Sequence, residues 1–119
     1  MAYMLLIVEP RGQREACTQE EGQSRSDRMQ AFAGGLAARG VLLSADSLAP
    51  DEKGTRVQVR GGEAEFQAGP FSESFNEMVG GYFLLNTDVE SEAVEMAKEC
   101  PAAEWATVEV RATVTSCAS

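Results

Sequence analysis

Ala2-Tyr3-Met4-Leu5-Leu6-Ile7-Val8, followed at once by Glu9-Pro10-Arg11-Gly12, is the stretch from which the fold can be read. A continuous apolar run of this length, bounded by turn residues, suits a central strand that meets protein on both faces. The run is too short to span a bilayer and has no basic segment before it. It therefore reads as neither a signal peptide nor an anchor, and the expected location is cytoplasmic, with no membrane partner.

Downstream, Thr18-Gln19-Glu20-Glu21 has the form of a capping box, so a helix is expected to start there. Met29, Phe32, Ala33, Leu36 and Ala37 recur at helical spacing, and Gly40 is a natural stop. The segment from Gln19 to Arg28 is almost wholly polar, so that half of the helix must be solvated, frayed or at an interface. A second strand opens at Val41-Leu42-Leu43 and ends near Ala49-Pro50. Thr55 to Arg60 alternates, Gly61-Gly62 turns, and Glu63 to Gln67 returns as a hairpin partner. After a loop holding Gly69-Pro70-Phe71, Gly80-Gly81 introduces the strand Tyr82-Phe83-Leu84-Leu85. Thr87 to Glu90 is a second capping-box candidate, Val89, Ala93, Met96, Ala97 and Cys100 make one helical face, and Pro101 ends that helix. Glu104 to Thr113 alternates as a last strand.

The order is β-α-β-(β-hairpin)-β-α-β, the split βαβ pattern of the α+β ferredoxin-like fold with an inserted hairpin, in a single domain over residues 1–115 with a polar tail at 116–119. Two helices cover only one face of the antiparallel sheet. The other face keeps apolar side chains from the first strand and from Tyr82 to Leu85. Leaving it wet would expose a contiguous patch, so a homodimer is expected.

Composition excludes several function classes. The 119 residues carry 10 Lys+Arg against 19 Asp+Glu, a formal net charge of -9, and so repel nucleic-acid backbones and anionic lipid. Cys17, Cys100 and Cys117 are far apart and odd in number, which suits unpaired thiols. The chain has no histidine, so neither a Ser-His-Asp nor a Cys-His arrangement can exist. No metal-ligand spacing is present, and although a hard cation such as magnesium is compatible with so acidic a chain, no motif argues for it. No cofactor is expected. The paired glycines match neither the dinucleotide nor the phosphate-loop pattern.

Several segments together resemble one family. Tyr3-Met4-Leu5-Leu6-Ile7, Gly69-Pro70-Phe71-Ser72-Glu73, Gly80-Gly81-Tyr82-Phe83-Leu84, Cys100-Pro101 and Val108-Glu109-Val110-Arg111 stand in the order seen in YCII-related proteins. The likeness is closest to the subgroup named for a D-G-P-F motif. This resemblance implies a ferredoxin-like domain that pairs through its sheet as a dimeric α/β barrel, with a cavity on the open face, and it implies no settled activity. Relatives encoded beside sigma factors imply a regulatory connection. Two departures matter. Ala68 stands where the subgroup motif has aspartate, and the His–Asp pair of the better-known members has no histidine here.

Candidate site residues follow from alternation in the last strand. It puts Ala106, Val108, Val110 and Ala112 on one face, and Trp105, Thr107, Glu109 and Arg111 on the other, expected to be the open one. Arg111 beside an apolar floor would anchor a carboxylate or another small anion; the preferred alternative is that Glu109 and Arg111 form an ion pair at the dimer interface. Pro70, Phe71 and Tyr82 are expected to bind a small organic ligand with Trp105 and Arg111. Glu73 and Glu109 are the candidate acid–base residues, made competent by burial. The leading expectation is a small-molecule-binding homodimer. The alternatives are a cofactor-free enzyme with isomerase-, lyase- or monooxygenase-like chemistry and a glutamate base, or a regulatory module that binds a protein such as a sigma factor.

Overall fold

In the computed structural model, residues 2–69 and 76–114 are described. Strand β1, Tyr3–Pro10, is central, as its apolar run demands. It is flanked by β5, Glu77–Leu85, and β6, Thr107–Ala112, both antiparallel to it. Strand β2, Leu42–Ser47, joins the far side of β5 and completes a four-stranded sheet of order β2-β5-β1-β6. The protein is thus α+β with an antiparallel sheet.

Burial along β1 alternates. Tyr3, Leu5, Ile7 and Glu9 are buried, whereas Met4, Leu6 and Val8 are only half covered within one chain. The buried side chains meet Phe83, Leu85, Val108 and Val110 across the ladder and pack beneath the helices. The open face carries Leu6 between Tyr82 and Glu109, and Met4 between Leu84 and Arg111.

Among the described residues there are three α-helices rather than the two expected. The addition, α1 at Gln13–Ala16, is a single turn after Gly12, whose φ of 80° reverses the chain at the end of β1. Helix α2, Gln19–Ala38, starts where the capping box placed it, with Thr18 Oγ1 accepting from Glu21 N–H at 3.1 Å. It ends in a Schellman arrangement: Gly40, at φ 72°, donates to Ala37, and Val41 donates to Leu36. Its apolar second half seats Leu36 in the core and sets Phe32 edge-on to Phe83, ring centroids 5.2 Å apart.

Helix α3, Glu90–Glu99, begins two residues later than a box at Thr87 would put it, with Val89 at the N-cap. Thr87 Oγ1 instead accepts from Val89 N–H and donates to Glu92, forming a local turn rather than a cap. Ala93, Met96, Ala97 and Cys100 close the core, and burial pushes the Cys100 thiol above its ordinary pKa.

Strands β3, Thr55–Arg60, and β4, Glu63–Ala68, form the expected hairpin as a separate two-stranded sheet. Val57 pairs with Phe66 and Val59 with Ala64, so one face of this arm is apolar; Phe66 is 72% exposed. The projecting arm accounts for a radius of gyration of 16.2 Å, against roughly 13–14 Å for a compact chain of this length.

Two strand boundaries also differ from expectation. Strand β5 begins at Glu77, and Gly80-Gly81 lies inside it rather than at its entry. The register slips there: Ile7 opposes Gly81 and Val8 opposes Val79, leaving Gly80 as the extra residue of a bulge. At the other end of the sheet, a 3-10 helix over Pro101–Glu104 consumes what alternation assigned to the start of the last strand.

Candidate functional site

A cleft lies on the helix side of the sheet, where β1 runs out under the polar half of α2. Its volume is about 590 Å³, within the range typical of small-molecule sites. Ile7 and Phe83 line it from the sheet, and Met29 and Ala33 line it from α2. Gln13, Arg14, Cys17 and Arg25 contribute the polar wall, and Trp105 closes one side. The polar half-helix, expected to be solvated, frayed or at an interface, is thus one wall of this cleft.

Glu9 sits in the cleft because it continues the inward phase of Tyr3, Leu5 and Ile7. Its side chain is 9% exposed, and Oε1 lies 2.5 Å from Arg14 Nη2. Arg14, delivered by α1, also donates to the Leu48 carbonyl at 2.7 Å and the Gly80 carbonyl at 3.1 Å. A buried carboxylate needs such a partner, since an isolated charge there would be strongly disfavoured. Gly80 makes the room. A β-carbon at that position would overlap Glu9 Oε1 and stand 2.6 Å from Cδ and 2.8 Å from Arg14 Nη2.

Trp105 follows the 3-10 helix and reaches the helix side, with its carbonyl accepting from Gln13 Nε2 at 2.6 Å. Two guanidinium groups lie over its indole: Arg25, 4.9 Å from the ring centroid, and Arg28, at 5.5 Å. They differ in their partners. Arg28 pairs with Glu104, and that hydrogen bond holds the Glu104 carboxyl below its ordinary pKa and raises that of Arg28. Arg25 Nη1 donates to Cys17 Sγ at 2.9 Å.

The expected grouping of Trp105 with Glu109 and Arg111 on one face is therefore corrected. Because the 3-10 helix interrupts the alternation before Thr107, Trp105 sits under α2 while Glu109 and Arg111 lie on the opposite sheet face. Glu109 and Arg111 approach to 3.8 Å, with side chains 51% and 68% exposed, an open surface pair within one chain. Tyr82 belongs to both surroundings. Its strand lines the cleft, while its hydroxyl shares a 2.9 Å hydrogen bond with Ser44 Oγ, on the face shared with Leu6. Pro70, Phe71 and Glu73 lie outside the described residues.

Sequence reasoning passed over Glu9, Arg14 and Arg25. For Glu9 a signal existed: the period of two that buries Tyr3, Leu5 and Ile7 arrives at Glu9, and a carboxylate in an inward phase demands a cation nearby.

Among the described residues, no three of His, Cys, Asp and Glu cluster closely enough to hold a metal ion. No helix among them is long and apolar enough to cross a membrane. No curated protein matches the sequence. A family model does: residues 1–115 match that of the YCII-related domain, and the chain belongs to that family.

Proposed function

We propose that this protein binds a small organic molecule in the helix-side cleft and works as a homodimer. The observation that carries the reading is the cleft itself: about 590 Å³, apolar on two sides, with the buried carboxylate of Glu9 paired to a half-buried Arg14 and the indole of Trp105 in its wall. Apolar surface with a few convergent polar groups is what small-molecule sites offer. The open sheet face, first expected to hold the ligand, is better suited to a second copy. Met4, Leu6, Val8 and Leu84 are half covered there, and Glu109 and Arg111 would lie at the rim. With the hairpin set aside, the strand order β2-β5-β1-β6 supports a ferredoxin-like fold paired as a dimeric α/β barrel. Gly69-Pro70-Phe71 is the reason to place the chain in the D-G-P-F subgroup.

A catalytic reading has one observation in its favour, the carboxylate of Glu9 at the cleft surface. Arg14 Nη2, 2.5 Å from its Oε1, ties that carboxylate in place, which suits positioning better than proton abstraction.

Two measurements test the proposal. Native mass spectrometry and thermal shift of the protein against a small-molecule panel should give ligands whose binding is lost in Ala33→Phe, which fills the cleft; ligands indifferent to that change would refute the site. Sedimentation should give a dimer that Leu6→Glu dissociates, and a wild-type monomer at micromolar concentration would refute the pairing.

A further inference from the structure

Of the two arginines that line the cleft, Arg14 is neutralised by Glu9, whereas Arg25 has no carboxylate within ion-pairing distance among the described residues. On a chain with 19 acidic and 10 basic residues, six of the basic ones, Arg11, Arg14, Arg28, Arg39, Lys98 and Arg111, each pair with an acid. Arg25 is also not loose. It is half-buried, spread over the indole of Trp105, and tied by one N–H to Cys17 Sγ. A thiol is a weak acceptor and leaves the positive charge uncompensated, with most of the guanidinium donors still unused. Gln30 and Ser26 flank it on the cleft wall, and Met29, Ala33 and Phe83 offer apolar surface beside it.

We infer that the ligand of this cleft is a singly charged anion with an apolar body, its carboxylate taken by Arg25 above Trp105. The inference rests on the reading of the cleft as the ligand site. A planar, delocalised guanidinium meets a carboxylate through two parallel hydrogen bonds, and stacking on an indole fixes the plane in which they form. One uncompensated cation answers one negative charge. A second anionic group would face the long-range repulsion of a molecule of net charge -9 with no further free cation in the cleft wall.

The chain has one tryptophan, so intrinsic fluorescence reports on this wall alone. Phenylbutyrate and its neutral amide, phenylbutyramide, are matched probes titrated against that signal and by calorimetry. The carboxylate should bind about tenfold or more tightly than the amide, the usual difference for a charge-assisted hydrogen bond. Arg25→Gln should bring the two affinities to within about twofold, with the carboxylate losing far more than the amide, since its charge-assisted pair of bonds is lost. Arg25→Lys should retain part of the preference, and Arg28→Gln, whose cation is already paired, should retain all of it. Equal affinities in the wild type, or a preference that survives Arg25→Gln, would overturn the inference while leaving the cleft as a ligand site. Probes that neither perturb Trp105 nor release heat would overturn the cleft reading itself.

Discussion

Replacing Gly80 with alanine sets a methyl group onto Glu9 Oε1, with the next neighbours 2.6 Å away at Glu9 Cδ and 2.8 Å away at Arg14 Nη2. Both are ends of flexible side chains, so the backbone need not move, but the ion pair must. Alanine in place of a strand glycine would by itself contribute roughly 0.5 kcal/mol of stability through reduced chain entropy. Against this stands the eviction of a carboxylate that is 9% exposed. Breaking a buried pair costs about 3–5 kcal/mol, and a surface pair at most about 1. Arg14 is 35% exposed and keeps its two carbonyl acceptors, which places this pair between those limits. The net loss is then about 2 kcal/mol, a fall in Tm of roughly 8 °C for a domain of this size. Urea unfolding followed by Trp105 fluorescence, alongside calorimetry, measures it. The decisive comparison is the same substitution in a Glu9→Ala background, where the methyl group has room and the penalty should disappear. A loss under about 0.5 kcal/mol in the wild type, or an equal loss in both backgrounds, would refute the steric account.

Leu36→Ala should cost about 2–5 kcal/mol in urea unfolding, because Leu36 is among the largest fully buried side chains and α2 cannot collapse far onto the sheet. Arg28→Gln should raise the Glu104 carboxyl pKa, as read by NMR titration. Because that pKa is depressed in the folded protein, the pair's contribution is present above the ordinary carboxyl pKa and lost as pH falls through the lowered one; the wild-type and variant stability curves should converge on acidification. In a Cys17→Ser, Cys117→Ser variant, Cys100 should resist thiol reagents in the native state and react promptly in urea, since burial both shields it and disfavours its thiolate.

The elements whose pattern is local were legible in the residues. The apolar opening strand, the cap at Thr18, the stop at Gly40 and the hairpin around Gly61-Gly62 each follow from short-range chemistry and appear where that chemistry puts them. What failed were inferences that carried a period across an interruption. Alternation run backwards from Val108 leaves the strand at Thr107 and reaches Trp105 at the C-cap of a 3-10 helix, where the phase is lost, which is why the indole lies under α2 instead of beside Glu109. The cleft was hidden for a different reason. Its polar wall comes from residues 9, 13, 14 and 25, and its far side from residues 80–83 and 105. No spacing along the chain announces that meeting, which depends on how β1 and β5 register.

The bulge at Gly80 divides β5 into two lengths of opposite phase. From Gly81 to Leu85 the odd-numbered residues face the helices, whereas at Met78 and Gly80 the even-numbered ones do. The strand therefore behaves mutationally as two modules joined at one glycine. Changes at residues 77–79 vary what surrounds the Glu9 end of β1 and leave the register of Phe83 and Leu85 untouched. Deletion of Gly80 would remove the bulge and join the two lengths into one regular ladder, with Val79 still opposite Val8 and Met78 still opposite Glu9. A scaffold jointed in this way can diversify its cleft mouth while its core stays constant.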